Sequence, residues 1–140
     1  MQALTIPAFP VTALYGGFLA LWIMALAWEV GRRRMRHKVL IGIGGVPELE
    51  AAVRAHGNAT ETVPIALILM LLAEGMGAPG WLLHLAGLAL VTGRVMHGVH
   101  FVAGRRDQRF RFWGMILTVL PIMGLGAGLA GHGLYALVAS

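Results

Sequence analysis

The sequence predicts an all-α membrane protein, a single domain over residues 1–140 folded as a bundle of four transmembrane helices. Three observations predict it. The chain is 58% hydrophobic and only 12% charged, with a mean hydropathy of +0.76, whereas soluble globular domains carry roughly 25% charged residues; a water-soluble monomer is excluded. The charges gather in short clusters separated by apolar stretches that approach or exceed the ~20 residues needed to cross a bilayer core. The basic clusters also fall on one side of an even number of spans.

The first span is expected at 9–31. No charged side chain occurs from Met1 to Trp28, and the basic residues Arg32, Arg33, Arg34, Arg36 and Lys38 come after the apolar run. A secretory signal would carry them in front, so the segment is expected to be retained. The second span, 55–74, is irregular. Its uncharged run 62–73 is too short for a bilayer and must extend back through Glu61, Asn58 and His56 towards Arg54. The third, 80–103, grows from the uncharged run 75–93 and continues past Arg94, His97 and His100; the fourth, 110–138, lies in the charge-free stretch 112–140. Pro64 and Pro121 fall inside helices, where neighbouring helices can take up the freed backbone groups. Gly124 and Gly128 have the small-xxx-small spacing of closely approaching membrane helices and read first as ordinary helix packing.

Four spans place the connections near 32–55 and 104–111 on the same side. Both are rich in Lys and Arg, the second through Arg105, Arg106, Arg109 and Arg111, whereas the turn near 74–80 and both termini carry none. By the positive-inside rule the basic loops are cytoplasmic and the termini lie on the far side. The net charge of +5 therefore sets membrane orientation and attracts anionic lipid, with no nucleic-acid partner expected. With no cysteine, a disulfide framework, a thiolate metal site and a cysteine nucleophile are excluded, so any thiol chemistry must use a substrate's thiol.

Ionisable groups inside spans are costly, about 2.5–3.5 kcal/mol for a central charge on insertion scales, so each needs a partner or a role. Arg54, Asn58 and Glu61 stand at i, i+4 and i+7 on one helical stripe, which Glu50 extends by a turn; Arg94, His97 and Phe101 form a second stripe in the third span. One reading is a pocket for a small zwitterionic or anionic peptide, with arginines for carboxylates, Asn58 for hydrogen bonds and Glu61 for an amino group. The other is structural: Glu61 pairs with Arg54 or Arg94, and Asn58 bonds a neighbouring helix. His97 and His100 lack a third ligand, so no metal is expected. His84 and His132 read as interfacial, His37 as solvated, and Trp22, Trp28, Trp81 and Trp113 as membrane-interface or lipid-facing residues.

Residues Arg54 to Pro64 read R-A-H-G-N-A-T-E-T-V-P, which resembles the signature R-A-x-x-N-x-x-E-x-x-P of the MAPEG family, membrane-associated proteins in eicosanoid and glutathione metabolism. The resemblance extends to the basic end of the first span, Glu50, the G-R-V-M-H stretch of Gly93 to His97 and the Arg-rich start of the fourth span. It is closest to small bacterial four-span members and implies an inner-membrane homotrimer binding glutathione between subunits near the cytoplasmic side. By position, Arg54, Asn58 and Glu61 match the glutathione-contacting residues, with His56 beside them and Arg94 on the facing stripe. Arg33 and Arg34 correspond to a basic pair that in some members reaches the peptide or acts on the second substrate. Where well-studied eukaryotic members carry two tyrosines, this chain has His97 and Phe101, and Thr62 replaces a further tyrosine. The thiol-activating arginine corresponds to Arg109 or Arg111.

The activity implied is that of a glutathione-dependent transferase or peroxidase. Glutathione is the co-substrate, its thiolate attacking a hydrophobic electrophile or a lipid hydroperoxide. A non-catalytic protein holding a lipid or partner helix in the same intersubunit groove is the alternative. A small transporter has less in its favour, since four short-looped spans with one intramembrane acid offer little translocation path.

Overall fold

The computed structural model describes residues 9–104 and 107–139, so Arg105 and Arg106 of the second basic loop lie outside the described residues. Four helices follow in chain order: α1 (Pro10–His37), α2 (Pro47–Gly75), α3 (Gly80–Val102) and α4 (Gln108–Ala139). All four are long and apolar enough to cross a membrane. The protein is an all-α, four-helix membrane bundle.

Helices α1, α2 and α4 outrun the expected spans, whereas α3 ends one residue short of its own. α1 continues through the arginine run to His37, where Lys38 adopts the left-handed conformation (φ 56°) and its amide donates back to the last turn. α2 begins at Pro47, a residue preset for the first helical turn, with Glu48 and Glu50 placed favourably at the positive end of the helix dipole. Leaving the hydrocarbon is no reason for a helix to stop; chain reversal is, and Gly44 and Gly45 at positive φ supply it. Helix α2 runs through Pro64 and α4 through Pro121.

The central pair is α2 and α3, each packed against all three other helices, while α1 and α4 flank it and do not meet among the described residues. Helix α2 buries Leu49, Ala52, Ala55, Ala59, Val63, Ala66, Met70 and Ala73 at steps of three or four residues, one continuous seam. Its alanines let backbones approach closely, the way membrane helices gain packing energy without a hydrophobic driving force. Leu19, Leu83, Leu90 and Leu125 complete the core.

Helix α3 carries three glycines at crossings. Gly87 seats the Tyr15 ring, Gly98 the Trp22 indole, and Gly93 meets α4 at Gly114. Gly124 and Gly128 are not contact points: a Cβ at either would meet nothing within 4 Å. The small-xxx-small spacing therefore marks open surface, and the close crossing of α3 and α4 lies elsewhere. Trp22 is likewise not lipid-facing but half-buried, its indole N–H donating to the Arg94 carbonyl at 3.1 Å. Trp28, Trp81 and Trp113 do face outward.

At the opposite end of the bundle, the Glu74 carboxylate accepts hydrogen bonds from the amides of Val11 (3.0 Å) and Thr12 (2.8 Å). Helix α1 has no side-chain cap of its own, so Glu74 serves as its cap from across the bundle. Glu74→Ala is expected to lower unfolding stability in detergent by about 1–2 kcal/mol, the typical worth of a lost cap. Thermal denaturation followed by circular dichroism would measure it.

Candidate functional site

Gly93 and Gly114 bring α3 and α4 into backbone contact, and this lets the next residue, Arg94, thread its side chain between α2 and α4. Arg94 is only 1% exposed. Its Nε donates to Thr118 Oγ1 at 2.8 Å, Nη1 to Thr62 Oγ1 at 3.2 Å and to the Asn58 carbonyl at 3.4 Å, and Nη2 approaches Met115 Sδ at 3.7 Å. Both threonines in turn donate to a carbonyl one turn back, Thr118 to Gly114 and Thr62 to Asn58. Their own protons are thus satisfied and their lone pairs are free for the guanidinium. No carboxylate pairs with Arg94 among the described residues. A buried positive charge held only by neutral acceptors leaves its field uncompensated, which favours an anion nearby.

The signature stripe faces the other way. Residues of α2 on the buried seam alternate with Arg54 and Glu61, both exposed on the subunit, while Asn58 is half-buried and its amide bonds only the Arg54 carbonyl at 3.4 Å. Neither Arg54 nor Glu61 makes an ion pair among the described residues, so these residues do not show the Glu61 pairing with Arg54 or Arg94 that the structural reading required. His56 is partly buried on the same helix. Counting from Glu74 at the far end, Glu61 stands about 20 Å along α2 at 1.5 Å per residue, inside a core of about 30 Å.

Beyond Arg94 towards the basic side, His97 is buried and Phe101 half-buried. Their rings lie 5.0 Å apart, His100 meets Phe101 edge-on at 5.2 Å, and the Arg111 guanidinium sits 5.7 Å from the Phe101 ring centroid. Arg109 is placed differently: its backbone amide donates to the Asp107 carboxylate at 2.9 Å, and its side chain is exposed. Gln108, Arg111, Phe112 and Met115 line an open groove of about 320 Å³ on α4. Met115 thus links this groove to the Arg94 guanidinium behind it.

Arg33 and Arg34, at the end of α1, are held within the chain. Arg33 is buried, bonded to Glu29 at 2.6 Å and to the carbonyls of Glu48 and Val102. It also lines a groove of about 370 Å³ with Pro47, Ala51 and Phe101. Arg34 donates to carbonyls of the following loop. His37, expected to be solvated, instead pairs with Glu48 across the α1–α2 connection.

The structure therefore brings Arg94, Thr62, the Asn58 backbone, His97, Phe101 and Arg111 into one connected layer. It leaves Arg54, Glu61 and the Asn58 amide on an adjoining outward face. Sequence reasoning missed Thr118 and Met115, which complete the Arg94 shell. The available signal was a hydroxyl one turn after Gly114 in a span with few polar residues.

The sequence model described as the MAPEG family matches residues 12–131. The chain is similar to "Inner membrane protein YecN" of Escherichia coli (strain K12), 44% identical over 110 residues covering 77% of this chain and 81% of that protein. It is also similar to "Microsomal glutathione S-transferase 2" of Mus musculus, 30% identical over 105 residues covering 69% of this chain and 67% of that protein.

Proposed function

Because the chain belongs to the MAPEG family, we propose that it is a glutathione-dependent transferase or peroxidase of the inner membrane, working as a homotrimer on hydrophobic electrophiles or lipid hydroperoxides. The observation that carries this reading is the array of exposed Arg54 and Glu61, without an ion pair among the described residues, beside half-buried Asn58. A carboxylate at the depth of Glu61 is too costly to leave against lipid. A neighbouring subunit together with a zwitterionic peptide would cover it, and the peptide's amino and carboxylate groups complement this set. Similarity to a mouse microsomal glutathione S-transferase supports glutathione as the thiol, and similarity to an Escherichia coli inner membrane protein supports the inner membrane. Charge placement favours cytoplasmic basic loops and periplasmic termini.

In this reading Arg54 holds a carboxylate, Asn58 hydrogen-bonds the peptide and Glu61 takes the amino group, with His56 at the margin. Arg94, acting from behind Thr62 and Asn58, adds positive potential. His97 and Phe101 form the wall beneath the thiol, and Arg111 stabilises the thiolate. A thiol with an ordinary pKa near 8.5 is mostly protonated at neutral pH, and each unit of lowering requires about 1.4 kcal/mol of preferential thiolate stabilisation. A guanidinium partly shielded from water, at the first turn of α4, can supply about one unit or more. The thiol proton leaves to water, and the thiolate sulfur bonds either to an electrophilic carbon as its leaving group departs or its π bond opens, or to the outer oxygen of a hydroperoxide as the O–O bond breaks to release the alcohol. The resulting glutathione sulfenic acid is then reduced by a second glutathione to disulfide and water, so no residue of the protein is covalently modified. Arg33 and Arg34, already bonded to carbonyls, hold the wall of the groove.

A second reading has its own observation. An apolar groove of about 430 Å³ runs between α3 and α4, lined by Leu82, Ala86, Leu117, Pro121 and Gly124 among others, and would suit an acyl chain in a non-catalytic lipid-binding protein. Calorimetry with glutathione, alongside ultraviolet thiolate absorbance, separates the two. Saturable binding by the wild type, weakened roughly 10–100-fold in Arg54→Ala as a charge-assisted bond is lost, is expected. A folded wild-type oligomer that retains lipid and binds no glutathione would overturn the enzyme reading.

A further inference from the structure

The connection between α1 and α2 presents Leu40 at 92% and Ile41 at 90% exposure, with Met35 at 82%. Exposed cations Arg36 and Lys38 flank this tip. An apolar tip of this kind is unfavourable in water. The polar groups of the same segment are arranged unlike those of a water-facing loop. Arg34 Nη1 donates to the Gly42 carbonyl at 2.8 Å, to Leu40 at 3.3 Å and to Val39 at 3.5 Å. The Val39 amide donates to the Arg34 carbonyl at 3.0 Å, and the Val46 amide to Ile43 at 2.9 Å. In water those carbonyls need no protein donor; away from water each unsatisfied one is expensive.

The fold also sets the height of the tip. The Val39 amide returns to the Arg34 carbonyl and the Arg34 guanidinium reaches Gly42, so the chain turns at the end of α1 and the loop is tied to its last turn. At 1.5 Å per residue the 28 residues of α1 measure about 42 Å, close to the ~40–45 Å of a bilayer with its headgroups. Val39 packs tightly over Gly44, where a Cβ would meet Val39 Cγ2 at 2.6 Å, which holds the reversal closed while Leu40 and Ile41 point outward.

We propose that this loop is a lipid wedge: Leu40 and Ile41 insert among the acyl chains just beneath the headgroups, while Arg36 and Lys38 grip anionic phospholipid phosphates. Arg34 makes insertion affordable by satisfying the loop carbonyls. The apolar contact supplies depth and the cations supply headgroup preference, the two-part pattern of interfacial anchoring.

The absence of native cysteine permits a clean test. Leu40→Cys and Ile41→Cys, each labelled with an environment-sensitive fluorophore, are reconstituted in phosphatidylcholine alone and in three parts phosphatidylcholine to one of phosphatidylglycerol, with and without lipid carrying a shallow nitroxide. Blue-shifted emission quenched by the nitroxide is expected, more strongly with phosphatidylglycerol. Added Arg36→Gln and Lys38→Gln should remove the phosphatidylglycerol-dependent part and leave the remainder. Water-like emission quenched only by aqueous iodide would overturn the wedge. So would protection from both quenchers, which would mean that a neighbouring subunit covers the loop. Quenching indifferent to phosphatidylglycerol would overturn the anionic grip. Both positions project into open surroundings, so unchanged elution on gel filtration checks the fold.

Discussion

Arg111→Ala is expected to abolish the thiolate absorbance of bound glutathione at neutral pH and to lower turnover by about 100-fold, while Arg109→Ala stays within about twofold of the wild type. The distinction rests on placement. Arg111 projects over the Phe101 ring and lines the groove with Met115, one shell from the Arg94 guanidinium, whereas the amide of Arg109 completes the Asp107 turn at the start of α4. A donor aimed at developing negative charge is worth factors of about 10²–10³ when removed. The pH profile gives a second readout: without Arg111 the acidic limb of turnover should move up by about one unit, towards the ordinary thiol range near 8.5. The sign follows from the charge, since removing a cation that favours thiolate leaves the thiol protonated to higher pH. Glutathione affinity should change little, because Arg54, Asn58 and Glu61 carry binding. Equal loss in both variants, or loss of affinity with no shift of the limb, would reassign Arg111 to binding.

Gly93→Leu is expected to prevent assembly of the folded bundle, and Gly93→Ala to destabilise it by about 1–3 kcal/mol. A Cβ at Gly93 would stand 2.8 Å from the Gly114 carbonyl oxygen, 2.9 Å from Leu117 Cβ and 2.9 Å from Thr118 Oγ1. Backbone and helix-fixed atoms cannot swing aside, so the helices must separate. Separation would also pull Thr118 from Arg94 and expose a charge whose acceptors come from two helices. Gly124→Ala and Gly128→Ala provide the contrast: with nothing within 4 Å of either Cβ, they should leave stability nearly unchanged or raise it slightly through lower unfolded-state entropy. Thermal unfolding in detergent, together with the monodisperse fraction on gel filtration, would compare the four. A well-folded Gly93→Leu protein would show that α3 and α4 do not cross at this point.

Much of this architecture is legible in one dimension because its causes are local. A bilayer imposes a minimum apolar length, and the 3.6-residue period places Arg54, Asn58 and Glu61 on one face. Their outward orientation was decided by packing, since the buried seam of α2 runs through the alanines between them. The choice between Arg109 and Arg111 could not be made, because it depends on where α4 starts and which of its faces meets α3. Nor could the glycines be ranked. The motif-like pair Gly124 and Gly128 faces open space, while Gly93 and Gly114, in different spans, are the ones that touch. Spacing along one helix carries no record of which helix comes near.

The sequence by itself determined four apolar helices, the side of the molecule that holds the positive charge, and the register of the polar stripe within each helix, since these follow from chain length, hydropathy and helical period. Only the tertiary structure decided which neutral oxygens surround Arg94, that Glu74 caps a helix sixty-odd residues earlier, and that Arg34 clamps the loop behind it. Those choices depend on distances between separate helices, and a few ångströms of backbone approach, set by glycine and alanine at the crossings, determine which polar groups can meet.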